Sequence, residues 1–433
     1  MRQIYPFLAF LAGCASAAGA HRHDVMSAAL RRDTQHTAAA ADATSFTTAE
    51  SLERAALIEA VLARNPGVEA ARQAWHAAVE KYPAAGALED PMLSYELAPL
   101  SIGGDVPFGQ RLELSQKLPF PGKRRLAGQA ALAEAEAAEA DYGAMRVELT
   151  EMASSLYDDY YVTARALEVN AHHHDLLETM KKGAIAQITV GHGSQQDALQ
   201  AEAEIIELER ERLALETQRA TTVARLNGLL RREPAAPLPP PPTMLPAPTT
   251  VFDAAGVTPP KVAAAEARVR ASQAEVAVAR REFYPDLELM TSYDTMWDMA
   301  EHRWMVGAAI EIPLQRGKRR ATVAVARAEQ ASAEAEVAAA RDQLAVDVEA
   351  ARQGVDEAVR ALDLYEKRLL PTTRQRVDAA LAGYASGAND FQSAIEAEHA
   401  LREAELKVET SRADVHRRIA ALNRALGLAG GVR

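Results

Sequence analysis

The sequence predicts a mainly α-helical fold interrupted by short β-strands, with one helix–strand–strand–helix–helix unit built twice. Three observations carry this. Segments recur about 195 residues apart, the mark of a fixed-period duplication. Asn65-Pro66 answers to Pro259-Pro260, and Asp90-Pro91-Met92-Leu93 to Tyr284-Pro285-Asp286-Leu287. Gly122-Lys123-Arg124-Arg125 answers to Gly317-Lys318-Arg319-Arg320, and Leu226-Asn227 to Leu422-Asn423. The composition is rich in alanine with only 5% aromatic residues, which suits long helices lying close together. Finally, Leu149, Ala153, Leu156, Tyr160, Thr163 and Leu167 step alternately by four and three, as do Leu344, Val348, Ala351, Val355, Ala358 and Leu362. That is a coiled-coil seam, with Asp342, Glu349, Arg352, Asp356 and Arg360 on the other faces of the second run.

At the N-terminus, Arg2 precedes an apolar run from Ile4 to Ala12, and Leu11-Ala12-Gly13-Cys14 closes it. This predicts a secretory signal, too short to span a bilayer as a helix. The tetrapeptide resembles a bacterial lipobox, which would cut before Cys14 and acylate it. A plain signal cut within Ala15–Ala20 is the other reading. Cys14 is the only cysteine of the chain, and an acylated thiol would account for an exported protein with no disulfide. Residues 15–46 show no periodicity and are expected to form a flexible tether. The organisation expected is therefore signal 1–14, tether 15–46, first repeat 47–232, Pro-rich linker 233–250 and second repeat 251–428. Within the linker, Pro239–Pro242 excludes helix and central strand and predicts a stiff, extended connection.

Each repeat predicts two strands. Met92–Leu97 sets Leu93, Tyr95 and Leu97 against Ser94 and Glu96, and Gly109–Leu118 sets Leu112 and Leu114 against Arg111, Glu113 and Ser115. The second pair is Leu287–Asp294 and Trp304–Pro313, where Val306, Ala308, Ile310 and Ile312 share a face. With flanking residues each approaches the length that a tilted strand needs to cross a bilayer; a half-buried soluble sheet is the alternative. Four strands cannot close a barrel, whose lower limit is about eight, so three chains giving twelve would remove the edges. The following helices are expected to run from near Leu126 to near Ala186 and from Ala321 to about Leu381, about 90 Å each.

Several functions are excluded. A net charge of −12 argues against nucleic acid, and no apolar stretch long enough for a transmembrane helix follows the signal. No nucleophile–base spacing, phosphate loop or paired-carboxylate cleft appears, so neither an enzyme nor a cofactor is expected. His172, His173 and His174 are consecutive on a helix, about 100° apart, and cannot converge on one ion. They are expected to lie at the surface, and no metal site is predicted.

With the duplication, Tyr384-Ala385-Ser386-Gly387 and the two Leu-Asn pairs in hand, the chain from about residue 50 resembles TolC-family outer-membrane efflux ducts. Leu118-Pro119-Phe120-Pro121-Gly122-Lys123-Arg124 and Glu89-Asp90-Pro91-Met92-Leu93 resemble its heavy-metal-efflux branch. The resemblance implies a homotrimer: a twelve-stranded barrel in the outer membrane, in contact with its lipid, continued by a helical barrel across the periplasm. It implies partnership with a periplasmic adaptor protein and an inner-membrane RND-type transporter, and passive conduction, with metal cations as the cargo. A drug, solvent or type I secretion duct of the same fold is the alternative, and a periplasmic coiled-coil adaptor is the competitor from another class. Thr189–Ser194 and Ala382–Gly387 read as tight turns between helices, with Gly191, Gly193, Gly383 and Gly387 at the tip that would meet the adaptor. In the family the tip is gated. Tyr384 stands at the family's tip tyrosine, the constriction aspartates fall on Ser393 and Glu396, and the basic tip residue falls on Asn389. Asp390 is the next carboxylate available to a gate.

Overall fold

The computed structural model describes residues 17–43, 50–102, 108–191, 193–246, 258–297 and 299–428, with backbone alone at 17, 36–43 and 100. In chain order the elements are α1 (Ala17–Ala43), α2 (Arg54–Arg64), α3 (Pro66–Gly86), β1 (Met92–Leu97), β2 (Gln110–Leu118), α4 (Lys123–Thr189), α5 (Gln195–Leu229), α6 (Pro260–Arg281), β3 (Asp286–Asp294), β4 (Trp304–Glu311), α7 (Arg316–Leu364), α8 (Leu370–Ala385) and α9 (Phe391–Ala425). Pro66 and Pro260 each open a helix, where a missing N–H has no intrahelical partner to lose. α4 alone has 67 residues, about 100 Å of helix. None of the described helices is apolar enough to cross a membrane.

The described residues form two compact units. The first draws on Met1–Asp33, Ala71–Asp141 and Lys261–Arg341. Its four strands form one antiparallel sheet in the order β1-β2-β3-β4. The register places Leu93 opposite Leu114 and Tyr95 opposite Leu112. It continues with Leu112 opposite Tyr293 and Leu118 opposite Leu287, then Leu287 opposite Ile310 and Tyr293 opposite Trp304. Since side chains alternate across a strand, this register collects most of the apolar residues of all four strands on one face. Ser94, Glu96, Arg111, Glu113, Ser292 and Asp294 take the other. The apolar face is open: Leu93, Tyr95, Trp304, Val306 and Ile310 are exposed, Val306 to 88%. Below the sheet, Val276 and Ala279 of α6 pack on Val323 and Ala326 of α7.

The segment expected to be a loose tether is helical over Ala17–Ala43. It has little periodicity of its own, and what holds it is docking. Met26 and Leu30 are buried, His23 stacks on Tyr82 at 5.2 Å, and Arg22 reaches Glu136 at 3.0 Å. Glu136 also receives Arg270 of α6 at 2.6 Å.

The second unit draws on Thr34–Ala70, Tyr142–Pro260 and Asp342–Arg433. One core gathers Leu57, Ile58 and Val61 of α2, Tyr157 and Tyr161 of α4, Leu226 of α5 and Ala413 of α9. In its wall Arg54 makes a bidentate pair with Asp158, 3.1 Å on one arm, and lies over the Tyr157 ring at 4.7 Å. A second core is the predicted seam: Val355 and Ala358 of α7 pack on Val415, Ile419 and Leu422 of α9.

One expectation changes here. The helical run predicted to reach Leu381 is broken by a wide π-type turn at Tyr365–Leu369, where Leu370 N–H bonds to the Tyr365 carbonyl. Pro371 explains the break: its ring crowds the carbonyl four residues back and it offers no N–H. The Pro-rich linker, described as far as residue 246, packs on neighbouring elements. Its Pro239 carbonyl accepts from the Tyr160 hydroxyl at 3.1 Å and its Pro240 carbonyl from Leu52 N–H at 2.8 Å. Leu245 is buried in the α2 core. His416 donates to the Pro246 carbonyl at 3.1 Å, and burial with Arg54 nearby pushes its pKa down to about 4, leaving the imidazole neutral.

Candidate functional site

The turn end of the second unit is where α4 returns as α5 and α8 as α9. Leu177, Met180 and Ala184 of α4, Ala201, Ile205 and Leu208 of α5, Val377 and Ala380 of α8, and Phe391, Ile395 and Leu401 of α9 form one core there. That packing fixes the two turns side by side. Ser194 caps α5 through a capping box with Asp197, which satisfies the free N–H groups of its first turn. Asp390 caps α9, accepting from Ser393 N–H at 3.0 Å and Ser393 Oγ–H at 2.5 Å, and these bonds hold its carboxyl below the usual range.

The four predicted glycines serve in two ways. Gly191 and Gly387 adopt φ of +80° and +74°, the left-handed geometry that ends a helix. Gly383 and Gly193 are needed for close approach. A Cβ on Gly383 would meet the Asn389 amide at 2.3 Å, and one on Gly193 would meet the Ile188 backbone nitrogen at 2.8 Å. His192 and Cys14 lie outside the described residues.

Tyr384 joins the two hairpins. Its hydroxyl donates to Asp197 Oδ2 at 3.1 Å and its ring meets Phe391 edge-on at 5.1 Å. Burial, reinforced by the Asp197 carboxylate, pushes its pKa up to about 12, so it stays a hydrogen-bond donor. Gln187 adds a bond to the Ala385 carbonyl at 3.3 Å, and Gln200 bonds to Gln392. Glu396 is exposed one turn into α9, and Gln392 donates to it at 3.1 Å. Of the predicted residues, Tyr384, Asn389, Asp390 and Ser393 are tied to neighbours of the turn, while Glu396 is exposed and bonded to Gln392 of its own helix.

The sequence reading missed the site below the tip. His173, expected at the surface, is fully buried between Glu398 and Glu405 of α9, its Nδ1 2.6 Å from one and its Nε2 3.2 Å from the other. Arg374 of α8 reaches Glu405 at 3.4 Å. Burial lowers the imidazole's basicity, but the hydrogen bonds to both carboxylates outweigh it and hold the pKa above the ordinary value. His172 and His174 do remain on the outer faces of α4. His399 pairs with Glu204 at 2.8 Å. Among the described residues, no group of three His, Cys, Asp or Glu side chains could hold a metal ion.

A four-stranded sheet with an open apolar face and long helices turning at capped ends is a fold shared with solved outer-membrane channels. Residues 253–428 match the family model described as outer membrane efflux protein. Solved structures of this fold cover most of the chain. The outer membrane protein VceC from Vibrio cholerae is 20% identical, with a TM-score of 0.74, covering 87% of this chain and 96% of its own. The outer-membrane channel OprN is 20% identical, with a TM-score of 0.76, covering 90% and 96%. CusC is 19% identical, with a TM-score of 0.71, covering 88% and 93%. No curated protein matches by sequence. The matched family is described by efflux across the outer membrane, and OprN as an outer-membrane channel.

Proposed function

We propose that three copies of this chain form the outer-membrane duct of a tripartite efflux pump. The observation that supports this best is the sheet. An apolar face that is exposed along four strands, with β1 and β4 lacking outer partners among the described residues, suits lipid on one side and further strands at both edges. Three such sheets would close a twelve-stranded barrel, and the polar face would line its water-filled interior. On this reading the helical hairpins reach into the periplasm and the Gly191 and Gly387 turns meet an adaptor protein. An inner-membrane RND-type transporter supplies the energy, and acylation of Cys14 anchors the chain.

The gate would sit at the tip, with the Tyr384–Asp197 bond tying the inner hairpin to the outer one and Glu396 facing the axis. The cargo follows from the heavy-metal-branch motifs at 89–93 and 118–124. VceC, OprN and CusC fit the chain about equally well, so the fold carries no cargo preference. Two measurements test the proposal. Crosslinking of outer-membrane extracts is expected to trap trimers, and monomers alone would end the duct reading. Deleting the gene is expected to sensitise cells to divalent or monovalent metal salts; sensitivity confined to drugs or solvents would reassign the cargo and keep the duct.

A further inference from the structure

All four helix–strand junctions lie at one end of the sheet, because Met92 pairs near the end of β2, Leu118 pairs with Leu287, and Asp286 pairs with Glu311. Three of these junctions are strongly basic: Lys123-Arg124-Arg125 opens α4, Arg280-Arg281 closes α6, and Arg316-Gly317-Lys318-Arg319-Arg320 opens α7. This is a local reversal in a chain of net charge −12.

Four of these cations have work inside the fold. Lys123 pairs with Asp286 at 2.7 Å, Arg124 donates to the Gly86 carbonyl at 2.7 Å, Arg281 to that of Pro121 at 3.3 Å, and Arg319 to that of Glu282 at 2.7 Å. The others do not. Arg125, Arg280, Arg316, Lys318 and Arg320 are exposed, and their side chains make no ion pair or hydrogen bond among the described residues. Helix stability does not explain the two clusters that open helices, since cations at a helix start oppose the macrodipole. At the other end of the sheet Arg111 is paired with Glu113 and Arg303 with the Trp297 carbonyl.

Beside the free cations lies an apolar rim. Phe283 and Tyr284 are partly exposed next to Arg280, and Ile312 and Leu314 are exposed to 67% and 82% just before Arg316. Going down the sheet, an apolar band therefore gives way to aromatic and aliphatic rim residues and then to a collar of unpaired cations. That sequence matches a lipid leaflet from acyl chain to interface to phosphate.

We infer that this end of the sheet is a docking surface for anionic glycerophospholipid, its headgroup phosphate held by Arg125, Arg280, Lys318 and Arg320 and its acyl chains against the apolar rim. The inference rests on the duct reading, which puts this end in the periplasm-facing leaflet. Each basic residue near such a surface is expected to strengthen binding roughly fivefold.

The test uses the full chain, purified in detergent and stripped of lipid. Phosphatidylglycerol or phosphatidylcholine with identical acyl chains is added, and retained lipid is counted by native mass spectrometry. The wild type is expected to retain phosphatidylglycerol preferentially, less so as salt is raised. The variant Arg125→Gln/Arg280→Gln/Lys318→Gln/Arg320→Gln is expected to lose roughly tenfold or more of that preference. Should the fourfold variant fold poorly, Arg125→Gln and Lys318→Gln singly are expected to show part of the loss. Equal retention of the two lipids by the wild type, or a preference untouched by these substitutions, overturns the inference. So does a stronger preference for the phosphates of lipid A, which belong to the opposite leaflet. Conductance in phosphatidylcholine bilayers is recorded in parallel. Channels without lipid preference remove the docking surface alone, and absent conductance removes the duct.

Discussion

His173 shows how a residue's neighbours can overrule its sequence context. Both ring nitrogens face carboxylate oxygens, which calls for an imidazolium, and a neutral ring would set a lone pair against one carboxylate. Its raised pKa means that this stabilisation is complete below about 6.5, the unfolded value, and is lost as pH rises through the higher folded value. Glu405, whose carboxyl is lowered by His173 despite burial, loses its share only in acid. Thermal unfolding of the wild type is thus expected to be highest in mildly acidic buffer and to fall towards alkaline pH. His173→Gln should be less stable by about 3 kcal/mol in the acidic range, with the gap narrowing as pH rises. A constant gap would refute the imidazolium. Arg54 and Asp158 make a second residue-scale case, where burial raises the carboxyl and Arg54 only partly offsets it. Arg54→Met strands a buried carboxylate and is expected to cost about 3–5 kcal/mol in unfolding experiments. Arg54→Met/Asp158→Leu should recover most of that loss, because the desolvation of both charges is removed with them.

Among the elements, the strands were the most legible, since the two faces of this sheet differ at every second residue and an error of one would invert them. The seam of α7 was legible for the same reason, and Val355 and Ala358 are indeed its buried members. What the sequence hid has a common cause in distance along the chain. Glu398 and Glu405 lie far from His173, and Asp158 far from Arg54. α1 carries no stripe of its own and is held by residues of α3 and α4. The π-type turn was visible as Pro371, but the regular seam before it masked the signal. At the tip, the glycines and caps could be read from residue type, while the Tyr384–Asp197 bond needed two separate hairpins to be set together. Tyr384→Phe removes that one bond, about 0.5–1.5 kcal/mol, and keeps the ring against Phe391. Its expected effect is a rise in open-channel events of roughly two- to tenfold in planar bilayers with little change in melting temperature. A silent variant would take the bond out of the gate.

At the scale of the whole molecule, symmetry decides what a single carboxylate can do. Three copies of Glu396 around one axis would repel anions and gather cations, although one copy on an exposed helix face does neither. Glu396→Gln is expected to lower cation selectivity and weaken block by divalent ions in single-channel recordings, and Glu396→Lys to reverse the selectivity. Glu349→Gln, on an exposed face of α7, should change neither. Unchanged selectivity in Glu396→Lys would turn attention to Asp390, whose carboxylate is already engaged as a helix cap. The β2–β3 pairing has a consequence of another kind. Leu118 finds its partner in Leu287, across α4, α5, the Pro-rich linker and α6. During synthesis, the β1–β2 hairpin must therefore wait with one greasy face and with the β2 edge bare until the second half of the chain arrives. A nascent chain of this kind is exposed to aggregation for longer than one whose strands pair as they emerge, so its folding is expected to lean on holding chaperones.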